Sequence, residues 1–279
     1  MKDVLHDCCI QPYVPKEQNQ SEHTEENDEE SLSEDDDDDE RPPPLEPLIC
    51  AVDLECTVNE NQTFEMVRAG WSYLDEDSYH EKATVKEFLE DAFAKTMVDE
   101  RERQVFMYAH NMRGFDGTFF QEGLYDMGYS IDKVLNQGAK HLSLECGNLI
   151  FRDSLNFFNM PLEKLPATFN LFELPKGFFP YSWIKPEKYD YVGPYPPAKD
   201  YHPERMTFKR RKEFLTWHQR KVEAGAIFDF QKELSAYLKS DVYVLKGALT
   251  GFSEEMKELT GINPLTQCVT IASCASLVG

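Results

Sequence analysis

The sequence predicts an α/β domain in which a central sheet is flanked by helices. Residues 48–56, LICAVDLEC, and residues 64–74, FEMVRAGWSYL, are strand-like and separated by a polar NENQ turn, so they predict a hairpin. Residues 81–104 predict a helix, after which the strand VFMYA begins. The apolar residues at helical spacing are Phe88, Leu89, Ala92, Phe93 and Met97. A helix that crosses over to a neighbouring strand is therefore expected.

The later chain predicts a second hairpin, a long loop and a long helix. Apolar spacing predicts a helix that ends near Gly128 and carries Phe119, Phe120, Leu124 and Met127. Residues 141–154, HLSLECGNLIFRDS, predict a hairpin turned at Gly147-Asn148. Residues 175–202 are dense in Pro, Gly and Tyr, which indicates an ordered loop, whereas residues 228–259 return to helical periodicity.

Charge divides the chain into an acidic tail and a body. The net charge of the 279 residues is −22, and residues 1–47 contain 17 of the 51 acidic residues but three basic ones. Residues 1–41 have too few apolar side chains to form a core, so we expect them to be disordered. The segment PPPLEP that follows is expected to be a stiff, extended spacer. A solvated linker and an interaction tail both remain open. We expect one domain over residues 48–279.

Cysteine usage and hydropathy place the chain inside a cell. Its seven cysteines show no C-x-x-C pair and no zinc spacing, and no apolar segment resembles a signal peptide or a membrane span. The first residues lack the Arg-rich, acid-poor character of a mitochondrial transit peptide. We therefore expect the nucleus or the host-cell cytoplasm rather than the mitochondrion, and no membrane partner.

Residues 199–221 form a local basic patch in an acidic protein. The segment KDYHPERMTFKRRKEFLTWHQRK contains eight Lys or Arg against three Asp or Glu, together with Tyr201, Phe208 and Trp217. Nucleic-acid affinity depends on cations that neutralise phosphates, so local clusters matter more than the total charge. The segment is a candidate phosphate-contacting surface.

Carboxylates recur at positions that suit a divalent ion. Asp53 and Glu55 lie two residues apart on the predicted strand AVDLEC, so both point to one side of the sheet. Two buried carboxylates repel each other, which costs folding free energy, and a divalent cation between them removes that cost. Asp116 follows the strand VFMYA, and Tyr237 and Asp241 are four residues apart on the late helix, where they share a face. A packed Tyr and a solvated Asp are the ordinary alternatives for that pair.

The order of these motifs resembles the three exonuclease motifs of family B DNA polymerases. They are D-x-E on a first strand, N-x-x-x-F-D after a later strand, and Y-x-x-x-D on a late helix. Ala236 stands five residues before Asp241, which favours the tyrosine type over related exonucleases that carry a His there. The resemblance implies a ribonuclease H-like fold for a 3′-5′ exonuclease domain.

Further segments are similar to the protein-primed branch, which occurs in phages, adenovirus-like viruses, linear organellar plasmids and Polinton transposons. Residues 154–158, SLNFF, resemble its (S/T)-L-x-x-h motif, and residues 176–179, KGFF, resemble its K-x-x-h motif. Residues 176–183, 191–219 and 266–278 resemble the Polinton-type members most closely. Three residues separate Asn111 from Phe115 where some phage members have two, so the alignment of residues 112–114 stays open.

The resemblance implies the roles of individual residues. Two Mg²⁺ or Mn²⁺ ions would be held by Asp53, Glu55, Asp116 and Asp241. Tyr237 would orient the attacking water, and Lys176 would offer a cation to the phosphate. Contacts to single-stranded DNA are implied for His110, Asn111, Phe115, Phe119, Ser154 and Leu155. Core packing of Phe119 and a strand-end cap at Ser154 remain alternatives. DNA, as a single-stranded 3′ end or a primer-template, is the implied partner, together with a terminal priming protein.

A family B polymerase also needs palm motifs that resemble D-x-x-S-L-Y-P and Y-x-D-T-D-S, and neither occurs in the 279 residues. We therefore expect an amino-terminal fragment that carries the proofreading exonuclease and cannot extend a primer. The alternative is a catalytically inactive relic that binds DNA or a partner.

Overall fold

The computed structural model describes residues 43–59, 62–138, 140–171 and 177–278. Within it, Arg41–Gly279 belongs to one compact unit. The predicted disorder of the acidic tail lies outside the described residues, and so does Lys176.

The strands and helices alternate in the pattern expected for an α/β fold. The strands are β1 (Leu45–Val58), β2 (Phe64–Tyr73), β3 (His80–Lys82), β4 (Met97–Val98), β5 (Arg101–Ala109), β6 (Lys133–Gln137), β7 (Lys140–Cys146), β8 (Leu149–Asp153), β9 (Val192–Pro194) and β10 (Ile227–Asp229). The helices are α1 (Val85–Ala94), α2 (Asp116–Asp126), α3 (Leu165–Thr168), α4 (Phe208–Glu223), α5 (Phe230–Thr260), α6 (Pro264–Gln267) and α7 (Ile271–Val278).

A mixed sheet organises the domain. Its strand order is β3-β2-β1-β5-β8-β7-β6, with β4 paired to the start of β5. Strands β1, β5 and β8 are parallel, whereas β2, β3, β6 and β7 are antiparallel to their neighbours. Helix α1 makes the crossover between the β1–β2 hairpin and β5, as expected. This arrangement confirms the predicted α/β fold, in which a mixed central sheet is flanked by helices.

Each face of the sheet is covered by its own helical layer. On one face, alternate residues of β1 pack against α1 and α2, with Cys50 and Val52 meeting Phe88 and Phe120. On the other face, the intervening residues pack against α5, and the members of this cluster include Ala51, Tyr108, Leu238, Val242 and Leu245. The two-residue side-chain period of β1 therefore decides which side chains face α5.

Helix α5 comes unusually close to the sheet at Gly70. A Cβ at Gly70 would lie 2.8 Å from Leu238 Cγ and 2.5 Å from Tyr79 Oη. Since Gly70 is the register partner of Asp53, α5 crosses the β1–β2 hairpin at the level of Asp53. The missing side chain allows this approach.

The structure corrects several sequence predictions at element boundaries. Met97 is not in the helix, because α1 ends at Ala94 and Met97 lies in the short strand β4, half exposed. Strand β1 begins at Leu45, three residues inside the predicted linker. Strand β6 was not predicted, and all of its side chains are exposed, so its sequence lacks an apolar alternation. The described part of the 175–202 segment is mostly irregular, as predicted, apart from β9 and single helical turns.

No helix in the described part of the chain is long and apolar enough to cross a membrane. The cysteines of this part, which are Cys50, Cys56, Cys146, Cys268 and Cys274, are free thiols.

Candidate active site

Strand β1 presents two carboxylates toward α5. The side chains of Asp53 and Glu55 point to the same face of the sheet as Ala51, which packs against α5. Glu55 is buried and Asp53 is half-buried. A register shift follows directly after Glu55, so the strand bends where its last carboxylate is placed. The sequence-predicted D-x-E pair therefore lies on the inner face of the sheet beside α5.

Arg68 supports this pair from the neighbouring strand. It is the register partner of Glu55 on β2. Its guanidinium donates to the carbonyl oxygen of Gln231 at 3.4 Å, bonds the Gln231 side chain as well, and lies 3.5 Å from Glu81 Oε1. Since Gln231 is in the first turn of α5, Arg68 ties the start of that helix to the strand beside Glu55. The sequence analysis did not identify this role, because no local pattern marks a cross-strand partner.

Helix α5 supplies Tyr237 and Asp241. Both are buried, and they flank Leu238, the side chain that packs against Gly70. Asp229 caps the helix by accepting a hydrogen bond from the Lys232 N–H at 3.3 Å. The four-residue spacing presents both predicted side chains on one buried face, as the sequence implied.

Asp116 reaches the same edge of the sheet from β5. Strands β1 and β5 are parallel with Val52 opposite Ala109, so the two strands end side by side. The helical turn Met112–Gly114 then carries the chain to Asp116, the first residue of α2. Burial, together with the nearby charge of Asp153, raises the pKa of the Asp116 carboxyl to about 8. A buried acid with such a pKa is a candidate for a functional site.

Asp153 organises the loop that precedes Asp116. It has no exposed surface and accepts backbone N–H bonds from Asn111 at 3.1 Å, Arg113 at 2.9 Å and Leu155 at 2.8 Å. Its Oδ2 also lies 2.7 Å from Arg113 Nε. These bonds hold Asn111 in a left-handed conformation with φ of 66°. Asp153 was not among the predicted site residues, although a carboxylate that ends the apolar strand LIFRD could have marked it.

The electrostatic effects of the predicted carboxylates converge on shared neighbours. Burial, followed by the charges of Asp116, Glu55 and Asp53, raises the pKa of the Cys56 thiol. Burial, with the charges of Glu55, Asp241 and Asp53, also raises the pKa of Tyr181 above its usual range. The pKa of Tyr237 is raised by burial, by Tyr181, and by Asp241 and Glu55. Asp53 and Glu55 therefore act on both Cys56 and Tyr181. Asp116 acts on the thiol, and Asp241 acts on the two tyrosines.

The donor chemistry of this region fits hard divalent ions. Carboxylate oxygens are the ligands that Mg²⁺ and Mn²⁺ prefer. A cation beside the buried Asp116 carboxyl would favour its charged form. Among the described residues, no three His, Cys, Asp or Glu side chains are grouped closely enough to hold one ion together. The acids thus have the identity and neighbourhood of a metal centre, but not an assembled ligand cluster.

The predicted DNA contacts differ in exposure, and two of them, His110 and Ser154, are hydrogen-bonded to each other. His110 Nδ1 lies 2.8 Å from Ser154 Oγ, and its Nε2 lies 3.0 Å from the Met160 carbonyl oxygen. Because that carbonyl accepts, Nε2 carries the proton and Ser154 donates to Nδ1. Ser154 has no exposed surface, whereas Asn111 is exposed and Leu155 is half-buried. Their contact with DNA stays a prediction.

Phe115 and Phe119 belong to an aromatic ridge beside Asp116. Their ring centroids are 5.4 Å apart, and Phe64 of β2 meets Phe115 edge to face at 4.2 Å. Phe64 is 55% exposed, so the ridge offers aromatic surface to solvent. Phe119 also packs partly against the core, which fits both interpretations left open for it. Phe64 was missed because its position depends on the strand register.

Tyr181 is a further residue that the sequence analysis did not select. Its hydroxyl forms a short hydrogen bond with the Tyr237 hydroxyl, and the two rings lie 5.6 Å apart at 87°. Tyr181 follows the K-x-x-h segment, on the irregular stretch that begins again at Gly177 in the structure. The Lys176 prediction lies outside the described residues.

Comparison with known proteins identifies the family. The family model of DNA polymerase type B, organellar and viral, matches residues 97–278. A curated relative, a probable DNA polymerase from Agaricus bitorquis, is 25% identical over 196 residues that cover 66% of this chain and 24% of the relative. The chain thus spans about a quarter of the length of that relative.

Solved structures give weaker matches. Phi29 DNA polymerase complexed with single-stranded DNA is 14% identical, with a TM-score of 0.48, over 75% of this chain and 32% of that protein. The family B DNA polymerase of the archaeon Pyrobaculum calidifontis is 15% identical, with a TM-score of 0.37. That match covers 82% of this chain and 27% of the archaeal protein. The family match covers more than half of the sequence, and the chain belongs to the organellar and viral type B DNA polymerases.

Proposed function

We propose that this chain is the proofreading part of a protein-primed family B DNA polymerase and removes nucleotides from single-stranded 3′ ends. The observation that carries the proposal is a shared electrostatic neighbourhood. The charges of Asp53, Glu55 and Asp241 all act on Tyr181. Those of Asp53, Glu55 and Asp116 all act on Cys56. These acids come from β1, α2 and α5, which are far apart in sequence. Family membership supports a nucleic-acid substrate.

The four carboxylates would hold two Mg²⁺ or Mn²⁺ ions. When bound, such ions supply Lewis acidity at a phosphate and lower the pKa of a water molecule. Gly70 and Arg68 keep α5 close to β1, so that Asp241 and Tyr237 stay near Asp53 and Glu55. Asp153 fixes the loop that delivers Asp116. The protein thus preorganises ligands that the ions would draw together.

The tyrosine and aromatic residues would position the substrate. The Tyr237 hydroxyl, held by Tyr181, would orient the attacking water toward the terminal phosphodiester, and the product would be a nucleoside 5′-monophosphate. Stacking of an unpaired base on Phe115 and Phe119 would contribute about 1–3 kcal/mol per base without sequence preference. His110, Asn111, Ser154 and Leu155 would line the path of the strand, and Lys176 would contact a phosphate.

The test is degradation of a 5′-labelled single-stranded oligonucleotide by the 279-residue protein with Mn²⁺. We expect stepwise shortening from the 3′ end that stops in EDTA and is abolished in Asp53→Ala/Glu55→Ala. A control pair of equal charge change, Glu254→Ala/Glu255→Ala, lies exposed on the distant half of α5 and should degrade normally. Activity that survives in the Asp53/Glu55 variant would contradict the site assignment.

A second function is favoured by the absence of an assembled ligand group among the described residues. In this alternative the domain binds DNA through its basic segment without cleaving it. Retention of the oligonucleotide at full length, with tight binding in the presence of Mn²⁺, would establish the alternative and exclude the nuclease. Incorporation of labelled nucleotide by the 279-residue chain would contradict the expectation that it cannot extend a primer.

A further inference from the structure

A large cleft is lined by both residues of the tyrosine pair, Tyr181 and Tyr237. Its volume is about 920 Å³. It is lined by parts of the segments 163–171, 177–181 and 201–213 and by Tyr237 of α5, and Lys212 is not among the lining residues. A Cβ on Gly177 would be 3.7 Å from the Tyr237 ring, so the 177–181 loop packs directly against α5. Because Tyr181 and Tyr237 line this cleft and also lie next to the carboxylates, the cleft leads to the candidate active site.

Cations dominate the ionisable residues of the cleft. Lys164, Arg205, Lys209 and Arg210 line it, against the acids Glu163 and Glu213. Lys164, Arg205 and Lys209 are exposed, and within the part of the chain that the structure describes they form no ion pair. Their charges are therefore available to an anionic ligand, in a protein whose net charge is −22.

The cationic wall is held in place by aromatic packing. Arg210 stacks over the Phe178 ring at 3.9 Å and donates to the Gly177 carbonyl oxygen at 2.9 Å. Phe178 in turn lies 5.2 Å from Trp217 of α4. Arg211 fixes the turn before α4 by donating to the Pro203 carbonyl oxygen at 2.7 Å. The start of α4 is thus rigidly placed along the cleft.

A groove lined by cations next to exposed aromatic faces is the pattern of a single-strand nucleic-acid site. Tyr181 is 54% exposed and Phe178 is half-buried, and both line the cleft. We propose that this cleft binds the backbone phosphates of the nucleotides that precede the 3′-terminal one, with Arg205 and Lys209 as the main phosphate contacts. The identity of the strand rests on the proposed function, but the binding itself does not require cleavage.

The test measures binding of labelled oligothymidylate to the 279-residue chain in EDTA, by fluorescence anisotropy over a range of salt concentrations. An oligonucleotide of about 3 nucleotides reaches only the site of the 3′-terminal nucleotide, whereas one of about 12 nucleotides also reaches the cleft. The variant Arg205→Ala/Lys209→Ala should bind the longer strand more weakly, and its log–log salt slope should be shallower by about 1.4, since each lost contact removes about 0.7. Affinity for the short strand and for thymidine monophosphate should not change.

Helix α4 supplies a matched control. Lys212→Ala/Arg220→Ala makes the same charge change on exposed residues of that helix, and neither residue lines the cleft. Equal weakening in the two double variants would show diffuse attraction and overturn the proposal, and so would no change in Arg205→Ala/Lys209→Ala. Loss of thymidine monophosphate binding in that variant would indicate a mononucleotide site instead. A parent chain that binds neither length also refutes it.

Two further measurements keep these outcomes separable. Circular dichroism melting checks that each variant is folded, and Arg205→Gln/Lys209→Gln replaces the alanine pair if the melting temperature falls. Degradation with Mn²⁺ is measured separately on the parent chain. If Arg205→Ala/Lys209→Ala weakens binding of the longer strand as expected but the parent chain degrades no DNA, the exonuclease proposal fails while phosphate binding in the cleft is confirmed.

Discussion

Substitution of Gly70 by Ala tests whether the close approach of α5 sets the geometry of the site. The added Cβ would lie 2.8 and 2.9 Å from two carbons of Leu238, whereas ordinary contact begins at 3.4 Å. Helix α5 must therefore retreat by about 0.5 Å. Overpacking of this kind costs about 1–3 kcal/mol, which for a body of this size lowers Tm by roughly 2–12 °C.

The same displacement moves Tyr237 and Asp241 away from Asp53, so degradation of single-stranded DNA should slow by about tenfold to a hundredfold. The control is Gly251→Ala on the same helix, where the nearest atom to the new Cβ is Phe169 Cδ1 at 3.5 Å. That change should raise Tm, because Ala stabilises a helix interior by about 1 kcal/mol relative to Gly. A Gly70→Ala protein with unchanged Tm and unchanged rate would refute the reasoning.

Three other changes give distinct results. Arg113→Ala leaves the Asp153 charge buried without its partner and should cost about 3–5 kcal/mol by chemical denaturation, whereas Arg113→Lys should cost less; equal costs would contradict the ion-pair argument. In EDTA, the raised pKa of Asp116 keeps this carboxyl protonated in the folded state between about pH 4 and about pH 8, where it is ionised in the unfolded state. The free energy of unfolding should therefore fall as pH rises through that window, relative to that of Asp116→Asn, and parallel pH profiles of the two proteins would refute the shift. Phe64→Ala removes an exposed ring beside Phe115 and should weaken short-oligonucleotide binding by about fivefold to a hundredfold with Tm nearly constant; unchanged affinity would remove Phe64 from the strand path.

Sequence periodicity predicted the elements that carry the site. Asp53 and Glu55 were assigned to one face of a strand, and Tyr237 and Asp241 to one face of a helix, because those periods are local properties of the backbone. The crossover and both hairpins followed from the same patterns. Met97 was misassigned because a helical spacing of apolar residues continued past the point where α1 ends.

Contacts between distant segments were beyond the local patterns. The Arg113–Asp153 pair joins residues 40 apart, and the Tyr181–Tyr237 bond joins residues 56 apart. Neither has a fixed spacing that could be searched for in one sequence. Phe64 was missed for a related reason, since its place beside Phe115 depends on how the β1–β2 hairpin lies against the start of α2.

The tyrosine pair separates two regions of opposite charge. Because the pKa values of Tyr181 and Tyr237 are raised, both hydroxyls stay protonated at physiological pH. They form an electrically neutral partition between the acids of β1 and α5 and the cations along α4. A polyanion that extended from these cations toward the carboxylates would be repelled there, and divalent cations bound to the carboxylates would reduce that repulsion.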